Sequence, residues 1–146
     1  MTALRLLLNI AWLLLGGLVM AIGWFIASAI MAISIIGLPW ARAAFNIAAF
    51  TLLPFGQEAV SRADYTGKPD LGAGWLGTLG NIIWLVFAGW WLALLHIMFS
   101  VASFVSIIGI PFAWAHIKLA RLALWPIGRS VVSISNFRQM QARLGS

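Results

Sequence analysis

Two stretches of this chain repeat one another at a fixed distance. Asn9-Ile10-Ala11-Trp12 returns as Asn81-Ile82-Ile83-Trp84, Ser34-Ile35-Ile36-Gly37-Leu38-Pro39 as Ser106-Ile107-Ile108-Gly109-Ile110-Pro111, and Leu52-Leu53-Pro54-Phe55-Gly56 as Leu124-Trp125-Pro126-Ile127-Gly128. The offset is 72 residues without a gap, and 20 of 53 aligned positions between 9–61 and 81–133 are identical. A duplication of fixed period means two copies of one structural unit. That unit is too apolar for water: 63% of the chain is hydrophobic and 8% charged, where a soluble domain carries about 25% charge. Residues 6–36 and 71–115 contain no Asp, Glu, Lys or Arg, and each stretch exceeds the roughly 20 residues that span a bilayer. The first also exceeds the apolar core of a signal peptide, about 7–15 residues, and continues into the repeated unit, so a membrane segment is expected rather than a cleaved leader.

The expected fold is an all-α integral membrane protein of two tandem repeats. Residues 1–56 form the first, 57–74 a polar linker, 75–128 the second and 129–146 a basic tail. In each repeat a long segment (roughly 6–36 and 76–108) runs into an Ile-Ile-Gly-X-Pro break, and a shorter one (roughly 40–53 and 112–125) ends at Pro-X-Gly. Gly37, Pro39, Gly109 and Pro111 mark the breaks, because glycine weakens the helix and proline removes a donor while suiting the first turn of the next one. Ser34 and Ser106 are placed to bond the freed backbone. In lipid such a break persists only where protein or water satisfies its backbone.

Topology turns on the shorter segments. About 14 residues cover about 21 Å against a hydrocarbon core of about 30 Å, so they either just cross or lie re-entrant or interfacial. If they cross, the repeats are parallel, and the N-terminus, linker and tail share one side; otherwise the repeats are inverted. The parallel arrangement is favoured, because it places Arg5, Arg62, Lys68, Arg129, Arg138 and Arg143 together in the cytoplasm, as the positive-inside rule prefers.

Asn81-Ile82-Ile83-Trp84, Gly89-Trp90-Trp91-Leu92, Ser106-Ile107-Ile108-Gly109-Ile110-Pro111 and Ala123-Leu124-Trp125-Pro126-Ile127-Gly128-Arg129 resemble the YccF family of small bacterial inner-membrane proteins. In the first repeat Gly17 stands opposite Gly89, but Leu18-Val19 replaces the paired tryptophans. The resemblance implies a bacterial inner-membrane location and brings no activity, cofactor or catalytic residue.

Chemistry must therefore come from the residues. No cysteine is present, which removes disulfides and thiolate metal sites. The net charge of +6 comes from scattered basic residues rather than a solvated basic face, so nucleic acid is excluded as a partner. Without a nucleophile elbow, carboxylate pair or glycine-rich phosphate loop, no enzyme and no cofactor are expected. His96 and His116 lack a carboxylate or cysteine companion for a metal, and packing is the expected role of His116. Arg42, Asn46, Lys118 and Arg121 fall on one i, i+4, i+7 stripe when the repeats are superposed. No acid lies in either shorter segment to neutralise these cations, which cost about 2.5–3.5 kcal/mol each at a helix centre. Either they snorkel to headgroups, or with His116 they line a path for anions. Gly17 with Ala21 and Gly89 with Ala93 form small-x-x-x-small pairs suited to close helix packing.

The leading expectation is an oligomeric inner-membrane channel, anion-selective if it conducts. The alternative is a non-conducting scaffold or accessory protein that binds anionic lipid or a partner, and a small secondary transporter comes third. The expected partners are the bilayer with its anionic headgroups, further copies of the chain and small inorganic anions.

Overall fold

A computed structural model describes residues 2–70, 72 and 74–145. Each repeat opens with a long bent rod. In the first, α1 (Ala3–Trp12) passes through a π turn at Leu13–Gly17 into α2 (Leu18–Ile33). In the second, α5 (Trp75–Trp84) passes through a π turn at Leu85–Gly89 into α6 (Trp90–Phe104). The first turn is the more distorted, with Gly16 at φ +117°, a conformation open to glycine because it lacks Cβ. Ala88 holds the equivalent place in the second repeat, where the backbone stays regular.

After the break each chain returns along its own rod, as α3 (Leu38–Leu52) or α7 (Ile110–Leu124), with the proline in the first turn. The serines at the breaks cap them. Ser34 Oγ accepts from the Gly37 N–H at 3.0 Å and donates to the Met31 carbonyl at 2.9 Å, and Ser106 Oγ accepts from the Gly109 N–H at 3.0 Å. Among the described residues three helices are long and apolar enough to cross a membrane: Ala3–Ile33, Trp75–Phe104 and Ile107–Leu124. The remaining returning helix, α3, has 15 residues, or about 22 Å.

Four tertiary hydrogen bonds close each hairpin, and they recur at identical sequence separations. Asn9 brackets Phe55 and Asn81 brackets Ile127, each amide giving one bond to the carbonyl and taking one from the N–H. The Trp12 indole donates to the Thr51 carbonyl at 2.8 Å and the Trp84 indole to Ala123 at 2.7 Å. Ser28 donates to Ala41 and Ser100 to Ala113. Since Asn9 near the start of a repeat touches Phe55 at its end, each repeat begins and ends at the same end of the bundle.

That end carries an element absent from the expected all-α picture. β1 (Gln57–Ser61) pairs antiparallel with β2 (Arg129–Ser133), so the two repeat ends lie side by side. The expected linker and tail are therefore equivalent structures, each a strand followed by a helix: α4 (Arg62–Thr66) and α8 (Ile134–Leu144). Ser61 Oγ caps α4 and Ser133 Oγ caps α8, again residues 133 − 61 = 72 apart. Strands of five residues are too short for a periodic signal, and they form here because each finds its ladder partner in the other repeat.

Ala59 faces Val131 in the ladder, and these are equivalent positions. A second equivalent pair, Trp24 and His96, meets deep in the bundle through a 3.1 Å hydrogen bond. Two self-equivalent contacts define a pseudo-two-fold axis running from the sheet between the long helices. The repeats therefore point the same way, the parallel arrangement. The axis is filled: Trp12, Trp24, Trp84, Leu92, His96 and His116 are all fully buried, and the Trp24 and Trp84 rings stack at 5.3 Å. Leu14, Ile33, Val86 and Val105 cover the outer faces and are exposed, as helices surrounded by lipid require.

Candidate functional site

The polar chemistry of the two repeats has diverged at equivalent positions between the returning helix of each repeat and the strand of the other. The first lies between α3 and β2. One face of α3 supplies Pro39, Arg42, Ala43 and Asn46 at helical spacing, β2 supplies Arg129 and Ser130, and the segment after β1 supplies Arg62 and Asp70. Together with Trp40 and Leu76 they line a cavity of about 820 Å³, within the range of small-molecule sites. Trp40 closes against α5 at Gly80, where any side chain would strike the indole.

Arg62 is held in place. Its Nε donates to Ser130 Oγ at 3.2 Å, one terminal nitrogen meets Asp70 Oδ1 at 3.5 Å, and the other donates to the Arg129 carbonyl at 3.0 Å. Arg42 and Arg129 are exposed, and neither guanidinium takes part in an ion pair among the described residues. The cavity thus carries three arginines against one carboxylate, Asp70, whose Oδ1 meets Arg62 while Oδ2 is buried without a partner among the described residues.

At the equivalent place in the second repeat, between α7 and β1, an ion pair bridges the two elements. Lys118 stands where the first repeat has Asn46, and Glu58 where the second has Ser130. Lys118 Nζ and Glu58 Oε2 meet at 2.7 Å across the gap. The expectation that Lys118 lacks a neutralising acid is corrected here: the acid comes from the presumed linker, because β1 folds back over α7. The positions equivalent to Arg42, Arg62 and Arg129 hold Trp114, Ile134 and Gln57. The cavity is therefore lined by arginines, and its counterpart in the second repeat carries an ion pair and none of the three arginines.

The profile of the YccF inner membrane component domain matches residues 7–57 and again 79–129, one copy per repeat and 79 − 7 = 72 residues apart. The chain belongs to the YccF family. It is 43% identical over 134 residues to Inner membrane protein YccF of Escherichia coli (strain K12), spanning 90% of this chain and 89% of that relative. The same figures hold for Inner membrane protein YccF of Shigella flexneri. No solved structure matches the chain. Family membership and the apolar helices together make the chain a multi-pass component of the inner membrane.

In this YccF chain the basic stripe of the shorter helices is divided among three settings. Arg42 and Asn46 line the cavity, Lys118 is paired to Glu58, and Arg121 is exposed on the outer face of α7. His116 is apart from all three, in the core. Its ring lies 4.4 Å from Trp12 and 5.4 Å from Phe99, and its Nδ1 is 3.0 Å from His96 Nδ1.

Trp24 sets the direction of this core chain. Its indole N–H donates to His96 Nε2, so that nitrogen carries no proton. Neutral His96 then donates from Nδ1 to His116 Nδ1, leaving the His116 proton on Nε2. That atom is buried with no partner among the described residues. The sequence aligns Trp24 with His96 as it aligns every other pair of the repeats, and only the fold shows that this pair lies on the axis.

Gly17, Ala21, Gly89 and Ala93 are all buried. A Cβ on Gly17 would fall on the Trp12 indole, and one on Gly89 would lie 2.8 Å from the Ala123 carbonyl and 3.0 Å from Trp84. In the YccF fold these glycines make room for the tryptophans that tie each rod to its own returning helix. Gly37, Pro39, Gly109 and Pro111 all lie at the two breaks.

Proposed function

We propose that this protein is a binding component of the inner membrane that captures a phosphate-bearing anion in the groove between α3 and β2. The arrangement of Arg42 and Arg129 around a pinned Arg62 carries this reading. Guanidinium groups match phosphate oxygens with paired donors, and a cavity partly walled by apolar side chains strengthens that attraction relative to open water. The proposed role is binding rather than catalysis. We further propose that the sheet end faces the cytoplasm, since Arg62, Lys68, Arg129, Arg138 and Arg143 all lie on or beyond the strands. A cysteine at Ser61 should then resist an impermeant thiol reagent applied from the periplasm, and labelling of intact cells would reverse the orientation.

The anion reading is tested on delipidated protein in an uncharged detergent. Inorganic phosphate or glycerol 3-phosphate, added at constant ionic strength, should raise the unfolding midpoint of the wild type, because a ligand bound to the native state stabilises it by mass action. The rise should vanish in Arg42→Gln/Arg129→Gln. An equal rise in that variant would remove the groove from the account.

A second reading, an anion-selective channel of several copies, rests on Arg121, which is exposed on the outer face of α7. Because the axis of one chain is filled, a path would run between copies. Planar-bilayer recording under asymmetric chloride tests it: an anion-selective reversal potential that shifts in Arg121→Gln is expected, and cation selectivity or the absence of current would refute it.

A further inference from the structure

We infer that the occupant of the α3–β2 groove is an anionic phospholipid of the surrounding membrane, with its phosphate on Arg42 and Arg129 and an acyl chain along Trp40 and Leu76. This rests on the anion reading above and names the ligand that satisfies both halves of the groove. The cavity walls are mixed. Its polar side holds Arg42, Arg129 and Asn46, while Trp40, Ile47 and Leu76 line the remainder. Trp40 belongs to α3 and Leu76 to α5, which opens a rod long and apolar enough to cross a membrane, and Leu76 is itself 39% exposed. The inferred lipid enters beside Leu76, where Trp40 of the first repeat meets Gly80 of the second. A free inorganic anion would use the arginines and leave the apolar wall against solvent; a phospholipid covers both.

Comparison with its twin, the equivalent place in the second repeat, argues that the arginine lining is a specialised feature. At equivalent positions of the two repeats, Lys118 and Glu58 form an ion pair in the second where the first has the shorter Asn46 and Ser130. The three arginines of the cavity are likewise absent from the twin, where Trp114, Gln57 and Ile134 are their counterparts. One lipid per chain is the resulting stoichiometry. Each basic side chain near an anionic headgroup favours it about fivefold, so the two unpaired arginines together favour an anionic over a zwitterionic lipid about thirtyfold.

The twin also supplies the perturbation. Asn46→Lys/Ser130→Glu transplants the ion pair of the second repeat into the first and should seal the groove. The full chain is incubated with equimolar phosphatidylglycerol and phosphatidylethanolamine in an uncharged detergent, and retained lipid is counted by native mass spectrometry.

Wild type should retain one phosphatidylglycerol. Arg42→Gln and Arg129→Gln should each lower its preference over phosphatidylethanolamine about fivefold, and Asn46→Lys/Ser130→Glu should abolish retention. Glu58→Ser/Lys118→Asn, which removes the twin ion pair without adding arginines, should leave the count at one. Midpoints of unfolding for every variant identify any that fail to fold. Because Arg42 and Arg129 are exposed, the single arginine variants keep the test decisive even if the transplanted pair does not fold.

If the arginines govern stabilisation by inorganic phosphate but not lipid retention, the lipid assignment fails and the anion reading stands. If Arg42→Gln/Arg129→Gln keeps both responses of the wild type, the anion reading fails with it. Equal retention of both lipids by wild type would also overturn the inference, since the charge of the headgroup would then have no role.

Discussion

Removing one carboxamide from the foot of each hairpin should cost more in the second repeat than in the first. Asn9 and Asn81 are fully buried, and each spans a single backbone residue. The Asn9 bonds to Phe55 are both 3.0 Å, while those of Asn81 to Ile127 are 3.2 and 2.9 Å. Substitution by Ala strands one N–H and one carbonyl, and a buried polar group left unpaired costs about 1–3 kcal/mol. Two such groups give about 2–6 kcal/mol. Ile127 is only 6% exposed, so Asn81→Ala should lie in the upper half of that range. Phe55 is half-buried, so water can relieve part of the loss, and Asn9→Ala should lie near about 2 kcal/mol. Asn81→Asp cannot rescue, because it turns the donor facing the Ile127 carbonyl into a second acceptor. Unfolding in mixed micelles titrated with dodecyl sulfate, followed by tryptophan fluorescence, reads both variants, since Trp12 and Trp84 lie one turn along from the substituted positions. A smaller loss for Asn81→Ala than for Asn9→Ala would refute the reasoning.

The same unfolding assay should show a loss of about 1–3 kcal/mol for Gly16→Ala. Its backbone is at φ +117° and an added Cβ would lie 2.6 Å from the Phe99 ring. Ala88→Gly at the equivalent, regular position should cost only about 0.5–1 kcal/mol; equal losses would argue against an asymmetric bend. A double-mutant cycle on Glu58 and Lys118 should give a coupling of about 0.2–1 kcal/mol that shrinks with added salt, because the two side chains remain 23% and 45% exposed. Nitrogen-15 spectra of the histidines should show His96 protonated on Nδ1 and His116 on Nε2. The opposite tautomers would break the hydrogen-bond direction set by Trp24.

What was legible in the sequence is what local chemistry and repetition decide. The 72-residue period announced two like units, and the charge-free stretches announced helices in lipid. Ser34, Gly37 and Pro39 act within a few residues of one another, so their capping role needed no tertiary information. The resemblance to YccF came from the same short motifs. The tertiary structure decided everything that depends on residues meeting across the pseudo-two-fold axis. Glu58 reaches Lys118 over 60 positions of chain only because β1 pairs with β2. Arg62 and Arg129 read as topological charges in the sequence, and they become groove residues once the strands set them beside α3. Periodicity along one helix states which residues share a face. It carries no information about what that face meets, because the partner is chosen by packing between elements distant in sequence. Duplication supplied two equivalent positions; the few side chains that differ across the axis put unpaired arginines at one and an ion pair at the other.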